Sequence, residues 1–158
     1  FGIAIGGSLG SNKDEMKDIV HFTSSKLDNI RPVHLLGIGD PRDIWDFVAD
    51  GIDTFDCVSP TRIARHGSAL VKGKQGKINL KNVKYKNNLN PIDNECNCYT
   101  CKNFTLAYLY HLFSSQELLG LQLLTSHNIY FMNNLMKEIR NSIDNNNFDN
   151  AKKNWLNS

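Results

Sequence analysis

The sequence predicts an α/β fold in which βαβ units build a parallel sheet and a helical region follows. Short apolar runs that end in glycine or a polar residue alternate with amphipathic segments over the first third of the chain. A lysine- and glycine-rich stretch comes next, and apolar residues recur at helical spacing from Phe104 onward. With 158 residues, 41% of them hydrophobic, the chain is long enough to bury a core.

Three strands and two helices account for the alternating part. The predicted strands are "FGIAIGG", "VHLLGIGD" and "DTFDCV". The predicted helices are residues 14–28, with Met16, Ile19, Val20 and Leu27 at helical spacing, and "PRDIWDFVADG", with Pro41 in its first turn. Strand and helix alternate at the spacing of right-handed crossovers, so the three strands are expected to pair in parallel.

The remaining residues change in character. "SALVKGKQGKINLKN" predicts a β-hairpin that turns at residues 74–76, and "NPIDNECNCYTC" reads as a loop. "FTLAYLYHLF", "QELLGLQLL" and a long segment after His127 are predicted helices, and the tail from Asn141 is expected to fray or to end in a short helix around Trp155.

Charge is distributed unevenly along the chain. No Asp or Glu lies between Cys57 and Ile92, and that stretch contains Arg62, Arg65, Lys72, Lys74, Lys77, Lys81, Lys84 and Lys86. A polyanion is a plausible partner for such a stretch. A solvated, lysine-rich hairpin explains the same charges equally well, so charge alone leaves both interpretations open.

The sequence contains no stretch of about 18 apolar residues, the length that a membrane span requires. Its start, "FGIAIGGSLG", lacks the basic region and long apolar core of a signal peptide. These features predict a soluble, cytoplasmic protein. Because Phe1 already lies inside a strand-like run, we expect the chain to be part of a longer protein.

Three cysteines, Cys96, Cys98 and Cys101, lie within six positions of a polar loop. In an intracellular protein such spacing is more often a metal site than a disulfide, and zinc needs a fourth ligand. His111 lies inside an amphipathic helix, whereas His127 follows "LLTS" at a predicted helix start, so we choose His127. Four protein ligands would make a structural zinc site, since catalytic zinc keeps a position for water. Free or redox-active thiols are the alternative.

Candidate catalytic groups lie at the strand ends, where parallel α/β proteins place their functional residues. Gly6 and Gly7 follow the first strand, residues 37–39 follow the second, and Asp56 lies at the end of the third. Asp53 and Asp56 should point to opposite faces of that strand, because they are an odd number of residues apart. An aspartate at this position can attack a sugar C1′, but a helix cap or an ion-pair partner is the commoner role.

Five motifs, taken together, resemble the C-terminal part of a tRNA-guanine transglycosylase, also called queuine tRNA-ribosyltransferase. They occur in the family's order over essentially the whole chain and are "AIGG", "RPVHLLGIGDP", "GIDTFDCVSPTRIARHG", "CNCYTC" and "TSHNIYF". The combination is far more specific than any one motif. It favours the role of nucleophile for Asp56 over that of a helix cap or an ion-pair partner.

The resemblance implies the C-terminal part of a TIM barrel with an inserted zinc-binding subdomain and C-terminal helices. It implies exchange of guanine at the wobble position of tRNA anticodons for a 7-deazaguanine, with Asp56 as the nucleophile that holds the ribose covalently. The residues that match the base pocket are Gly6 and Gly7, through their backbone, and Leu36, through its side chain.

Further roles carry over from the resemblance. Arg62 and Arg65 of "PTRIAR" match residues that contact the tRNA anticodon loop. The matches to the zinc ligands are Cys96, Cys98, Cys101 and His127, which agrees with the choice made from spacing. The implied regions are barrel units in residues 1–68, a basic hairpin with the zinc subdomain in residues 69–127, and helices in residues 128–158. Members of the family act as dimers, commonly through the zinc region, so a homodimer is expected.

The sequence departs from the family pattern in the base pocket and in the length of the matched chain. Leu36 stands where the family usually has methionine, and "SLGSN" replaces a longer loop close to "LAVGE". The family's early barrel strands and general-base aspartate precede the matched motifs, and three strands cannot close an eight-stranded barrel. By itself the chain is expected to be inactive and to expose a sheet edge. A non-catalytic tRNA-binding subunit or inactive fragment is the alternative function, while a zinc hydrolase would need an open metal position.

Overall fold

Three short parallel strands form the sheet of the first of two compact units, Phe1–Ser59 and Pro60–Ser158. The computed structural model of the chain describes residues 1–7, 9–28 and 30–157. The strands pair in the order β1-β2-β3 and are β1 (Ile3–Ile5), β2 (Val33–Leu35) and β3 (Thr54–Phe55). Both pairings are parallel, which confirms the predicted sheet.

Helices α1 (Lys13–Ser24) and α2 (Pro41–Ala49) are the crossovers between these strands. The Asn12 side chain accepts hydrogen bonds from the first turn of α1, and Asp40 does the same for α2. The prediction that α1 extends to Asp28 is wrong, because three consecutive hydroxyls in "TSS" bond back to carbonyl oxygens of the preceding turn. Hydroxyls that compete for backbone groups favour a helix end.

A ladder of ion pairs joins α1 to α2. Basic side chains four residues apart on α1 meet aspartates of α2 and its C-cap, in the pairs Lys13–Asp43 at 2.9 Å, Lys17–Asp46 at 2.7 Å and His21–Asp50 at 2.8 Å. Beneath them, Val20, Leu35 and Phe47 are fully buried between the helices and the sheet. The ladder joins the exposed sides of the two helices, while the buried side chains hold them on the sheet.

The second unit begins with a short helix and a hairpin. Helix α3 (Ser59–Arg65) was not assigned from the sequence. It leads into the antiparallel strands β4 (Ser68–Leu70) and β5 (Lys77–Asn79), which confirms the predicted hairpin. A single 3-10 turn, Val83–Tyr85, follows before the cysteine-rich segment.

Four helices complete this unit, and two predictions about them are wrong. They are α4 (Tyr99–Asn103), α5 (Leu106–Ser114), α6 (Leu118–Asp144) and α7 (Phe148–Asn157). The expected loop "NPIDNECNCYTC" ends inside α4, because Cys98 caps this helix and Cys101 lies within it. His127 lies in the interior of α6 rather than at a helix start, since the buried face of α6 continues through "TSHN" and outweighs the weak helix propensity of those residues.

The unit closes on a shared apolar core. Leu80, Leu109 and Leu124 are fully buried where the hairpin, α5 and α6 meet. The expected tail helix is present as α7, and its Trp155 packs against Phe131 of α6 with ring centroids 6.1 Å apart. Although α6 is 27 residues long, no helix within the described ranges has the length and hydropathy that a bilayer span requires.

One buried amide ties α6 to α3 and β4. Asn128 is fully buried, and its Oδ1 accepts a hydrogen bond from the Leu70 backbone N–H at 2.9 Å. Its Nδ2 donates to the carbonyl oxygens of Pro60 at 2.9 Å and Ser68 at 3.0 Å. A single side chain therefore holds both ends of the segment that contains α3.

We expect Asn128→Leu to destabilise the protein by roughly 3 kcal/mol, because leucine leaves three buried backbone groups without partners. Urea unfolding, followed by circular dichroism at constant metal concentration, measures the change. Asn133→Ala is the matched control, since Asn133 is an exposed residue of the same helix. Equal stability of the two variants would contradict this role of Asn128.

Candidate functional site

The carboxyl ends of the three parallel strands bring the predicted base-binding and nucleophilic residues together. The paired register is Ile5, Leu35 and Phe55, so the next residue on each strand shares one level of the sheet: Gly6, Leu36 and Asp56. The hydrogen bond from Leu36 N–H to the Ile5 carbonyl, 2.9 Å, continues the pairing to this level. Because side chains alternate along strands, Leu36 and Asp56 project from the same face.

The absence of a side chain on Gly6 leaves room for Leu36 at this level. A Cβ atom on Gly6 would lie 2.5 Å from Leu36 Cδ1, so the Leu36 side chain would have to move. Leu36 itself is 45% exposed, so an apolar side chain is presented beside a glycine backbone. Gly7 follows with φ of 91°, a left-handed conformation that glycine adopts without strain. Ser8, the first residue of the "SLGSN" loop, lies outside the described residues.

The Asp56 carboxylate is exposed, with 60% of its side chain accessible, and one of its oxygens accepts two hydrogen bonds. The Gly37 backbone N–H donates to Oδ1 at 3.2 Å, and His34 Nε2 lies 3.1 Å from the same oxygen. His34 Nδ1 in turn lies 2.8 Å from Thr54 Oγ1. Asp56 thus has a hydrogen-bonding partner in His34, a contact of the kind weighed from its position.

His34 was not identified from the sequence. The register of β2 and β3 could have indicated it. His34 pairs with Thr54, and Asp56 lies two residues beyond Thr54 on the same face, within reach of His34. Asp53 makes a different contact, because its Oδ2 accepts a hydrogen bond from the Val33 N–H at 2.7 Å. Asp53 therefore holds the start of β2.

Arg62 and Arg65 lie in the second unit, on α3. Both are exposed, and their spacing of three residues places them on one side of the helix, while Ala64 is buried in the core. Arg65 borders a shallow groove of about 570 Å³ whose other lining residues belong to α6: Leu121, Gln122, Thr125, Ser126 and Ile129.

The structure brings Cys96, Cys98, Cys101 and His127 together, as the sequence predicts. Their ligand atoms all lie within 4.8 Å of one another. His127 Nδ1 is 3.9 Å from Cys96 Sγ, 3.5 Å from Cys98 Sγ and 3.4 Å from Cys101 Sγ. In a tetrahedral zinc site, the usual bond lengths place sulfur and nitrogen ligands about 3.6 Å apart. The four donors therefore fit one tetrahedral metal ion.

Local structure orients each donor of this cluster. Cys98 is the N-cap of α4, and its Sγ accepts a hydrogen bond from the Cys101 N–H at 3.3 Å, so the two thiols face one point. His127 Nε2 donates to the Leu70 carbonyl at 2.9 Å. When the ring is neutral, as a metal ligand must be, that hydrogen bond selects the tautomer in which Nδ1 presents its lone pair to the thiols.

The close contacts within the cluster give Cys98, Cys101 and His127 very different pKa values. Hydrogen bonds from Cys101 and Cys96 hold the pKa of the Cys98 thiol far below its ordinary value, and the contacts with Cys96 and Cys98 hold the pKa of Cys101 far above it. Burial lowers the pKa of His127, but the thiol contacts outweigh it and raise this pKa to about 9. The first thiol proton is therefore lost readily, and the thiolate is the form that binds metal.

Four protein donors complete a tetrahedron, so the arrangement is that of a structural site. Cys98, Cys101 and His127 are buried, and Cys96 is partly exposed. All four cysteines of the chain are described and are free thiols; the fourth, Cys57, lies in the first unit.

We expect Co²⁺ to bind the reduced protein and to produce thiolate charge-transfer bands together with the visible bands of a tetrahedral site. Cys98→Ser removes one of three sulfur donors and should reduce the charge-transfer intensity per cobalt by at least about one third. Cys57→Ser is the matched control and should leave the spectrum unchanged. An octahedral spectrum, or equal spectra of the two variants, would contradict the site.

Comparison with known proteins relates the chain to one family. The sequence profile of queuine tRNA-ribosyltransferase matches residues 1–158. Curated proteins named queuine tRNA-ribosyltransferase include one from Roseiflexus sp. (strain RS-1), 46% identical over 157 residues, which are 98% of this chain and 39% of that protein. The one from Thermosipho africanus (strain TCF52B) is 49% identical over 148 residues, 93% of this chain and 40% of that protein.

A third relative of that name, from Haemophilus ducreyi (strain 35000HP / ATCC 700724), is 47% identical over 149 residues, 94% of this chain and 38% of that protein. The chain thus spans about two fifths of the length of the curated relatives that it matches. By the match of the profile along its whole length, the chain belongs to the queuine tRNA-ribosyltransferase family.

Proposed function

We propose that this protein exchanges guanine at the wobble position of tRNA anticodons for a 7-deazaguanine, with Asp56 as the nucleophile. The observation that carries the proposal is that Gly6, Leu36 and Asp56 share one level and one face at the carboxyl edge of the parallel sheet. A base that lies against the glycine backbone and Leu36 would hold its ribose beside an exposed carboxylate.

The exchange is a double displacement. Asp56 attacks C1′ of the ribose, the bond from C1′ to the base nitrogen breaks, and guanine leaves with the electron pair and takes up a proton. The incoming 7-deazaguanine then loses its proton and attacks C1′, and the Asp56 carboxylate is released. Because charge develops on the ribose in both steps, an adjacent carboxylate stabilises both transition states.

The base would be held by Gly6, Gly7 and Leu36. Glycine at both positions lets backbone N–H and C=O groups approach a flat ligand, and the exposed Leu36 supplies an apolar wall. We propose that the three parallel strands with crossover helices are the C-terminal part of a TIM barrel, whose active site would lie at this same edge.

The proposed partner is the tRNA anticodon loop. Exposed Arg62 and Arg65 on α3 suit phosphate or base edges, since a guanidinium group binds them through two hydrogen bonds. The surrounding stretch from Cys57 to Ile92 contains no acidic residue, which favours the same partner. Such an enzyme would act in the cytoplasm, where tRNA is modified.

We propose one structural zinc ion per chain, held by three cysteines and His127. Zinc suits a largely buried set of three thiolates and one imidazole, and the Leu70 carbonyl orients the imidazole by accepting a hydrogen bond from its other nitrogen. The ion would fasten the segment before α4 to α6 and to β4. A zinc-dependent hydrolysis is disfavoured, because no position remains for water.

A homodimer through the zinc region is also proposed. Near the cysteines, the aromatic rings of Tyr99, Phe104 and Tyr108 pack in a row, with centroids 5.7 and 5.4 Å apart. Tyr99 and Tyr108 are exposed. Exposed aromatic residues of this kind are enriched in interfaces between proteins.

Asp56→Asn is expected to lower incorporation of labelled guanine into tRNA by at least about a thousandfold, since asparagine keeps the acceptor for Gly37 N–H but cannot attack C1′. The measurement uses protein expressed from its complete reading frame. Asp53→Asn is the matched control, because its amide oxygen still accepts from Val33 N–H. Incorporation by Asp56→Asn at the wild-type rate would refute the proposed nucleophile.

Arg62→Ala and Arg65→Ala are each expected to raise the KM for tRNA about tenfold while kcat changes little, because charge-assisted hydrogen bonds to RNA are lost without loss of the nucleophile. Lys77→Ala controls for charge, since Lys77 is an exposed residue of β5 in the same acid-free stretch. If Lys77→Ala weakened tRNA binding as much as the arginine variants, a diffuse electrostatic surface would replace specific arginine contacts.

A further inference from the structure

We propose that His34 is a positioning residue that directs the nucleophilic attack to Oδ2 of Asp56 and assists the later release of the Asp56 carboxylate. The inference rests on the proposed base exchange and deepens it. It concerns a side chain that lies within the motif "RPVHLLGIGDP" but to which the resemblance assigned no role. The inference depends on contacts within one sheet of the first unit.

The contacts form a chain across two strands. His34 and Thr54 are directly paired in the parallel register, and His34 Nδ1 lies 2.8 Å from Thr54 Oγ1. Its other nitrogen, Nε2, lies 3.1 Å from Asp56 Oδ1. Thr54 and Asp56 are two residues apart on β3 and its extension, so both side chains lie on the face from which His34 projects.

The carboxylate decides which way the imidazole is protonated. If Nε2 carried a lone pair, it would face the electron-rich Oδ1 of Asp56, which is repulsive. Nε2 therefore carries hydrogen and donates to Oδ1. The Thr54 hydroxyl can donate to Nδ1 of the neutral ring, which makes the arrangement complementary at both nitrogens.

Two donors on one oxygen make the two carboxylate oxygens unequal. His34 Nε2 and the Gly37 N–H both point to Oδ1. Hydrogen bonds withdraw electron density from Oδ1, so Oδ2 is the better nucleophile. In the first displacement the bond from Oδ2 to C1′ forms and the bond from C1′ to the guanine nitrogen breaks, with its electron pair leaving on guanine.

The same donors affect the two displacements in opposite senses. In the ester intermediate, Oδ1 is a neutral carbonyl oxygen, and its hydrogen bonds are weaker than those to a carboxylate. As the incoming base displaces Asp56, negative charge returns to the carboxylate and the hydrogen bond from His34 strengthens. Loss of that donor therefore slows release without slowing attack, and the covalent intermediate should accumulate.

His34→Ala is expected to lower kcat for guanine exchange roughly tenfold to a hundredfold, with the KM for tRNA within about threefold of wild type. The fraction of protein trapped as a covalent tRNA adduct on denaturing gels, with tRNA alone, should rise. His34→Gln is the rescue variant, because its amide can reach Oδ1 with a donor in place of Nε2, and it should restore kcat to within about threefold. All variants are made in the protein expressed from its complete reading frame.

The outcomes separate this inference from the proposed function. If the wild-type protein exchanges guanine and Asp56→Asn does not, but His34→Ala behaves as wild type, the positioning role is wrong and the proposed function stands. If kcat and adduct fraction fall together in His34→Ala and His34→Gln restores neither, His34 is only structural. If the wild-type protein neither exchanges guanine nor forms an adduct, the proposed function fails and this inference fails with it.

Discussion

The parallel register of β1, β2 and β3 is the constraint on which the proposed chemistry depends. Side chains alternate along a strand, so a shift by one residue would turn Asp56 to the opposite face and leave Leu36 without the bare glycine against which it packs. Crossover helices α1 and α2 cover these strands through buried apolar side chains, and the lysine–aspartate pairs and the His21–Asp50 contact join the two helices to each other. The carboxyl edge consequently brings glycine, an apolar side chain and a carboxylate together.

The second unit depends on two adjacent residues of α6. His127 donates to the Leu70 carbonyl and turns its other nitrogen to the thiols, while Asn128 accepts from the Leu70 N–H and holds both ends of the α3 segment. One strand residue thus links the metal cluster to the helix that presents Arg62 and Arg65. Metal binding in such a site contributes directly to folding, because the donors converge only in the folded chain. The cluster therefore bears on the shape of this unit.

Much of the metal site could be predicted, and much of the catalytic edge could not. Spacing alone indicated three cysteine donors, and His127 was identified correctly although the structure gives a different reason from the one used. It lies inside a continuous helix, where its Nδ1 meets the thiols because α6 packs across α4. Local propensity suggested a helix start at "TSHN", but a buried face that continues from Leu123 to Ile139 overrides propensity. His34 lies within the motif "RPVHLLGIGDP", but no role was assigned to it there, and its contact with Asp56 emerged only from strand pairing.

The sequence by itself determined the order and type of most elements, the positions of glycine and proline at their ends, and the set of donors that could bind metal, because these follow from periodicity and side-chain chemistry. Tertiary structure decided which residues meet. Only strand pairing places His34 and Gly37 on the same oxygen of Asp56, and only the packing of α6 against β4 selects the tautomer of His127. The physical reason is that contacts between residues distant in sequence depend on register and packing, which no local pattern specifies.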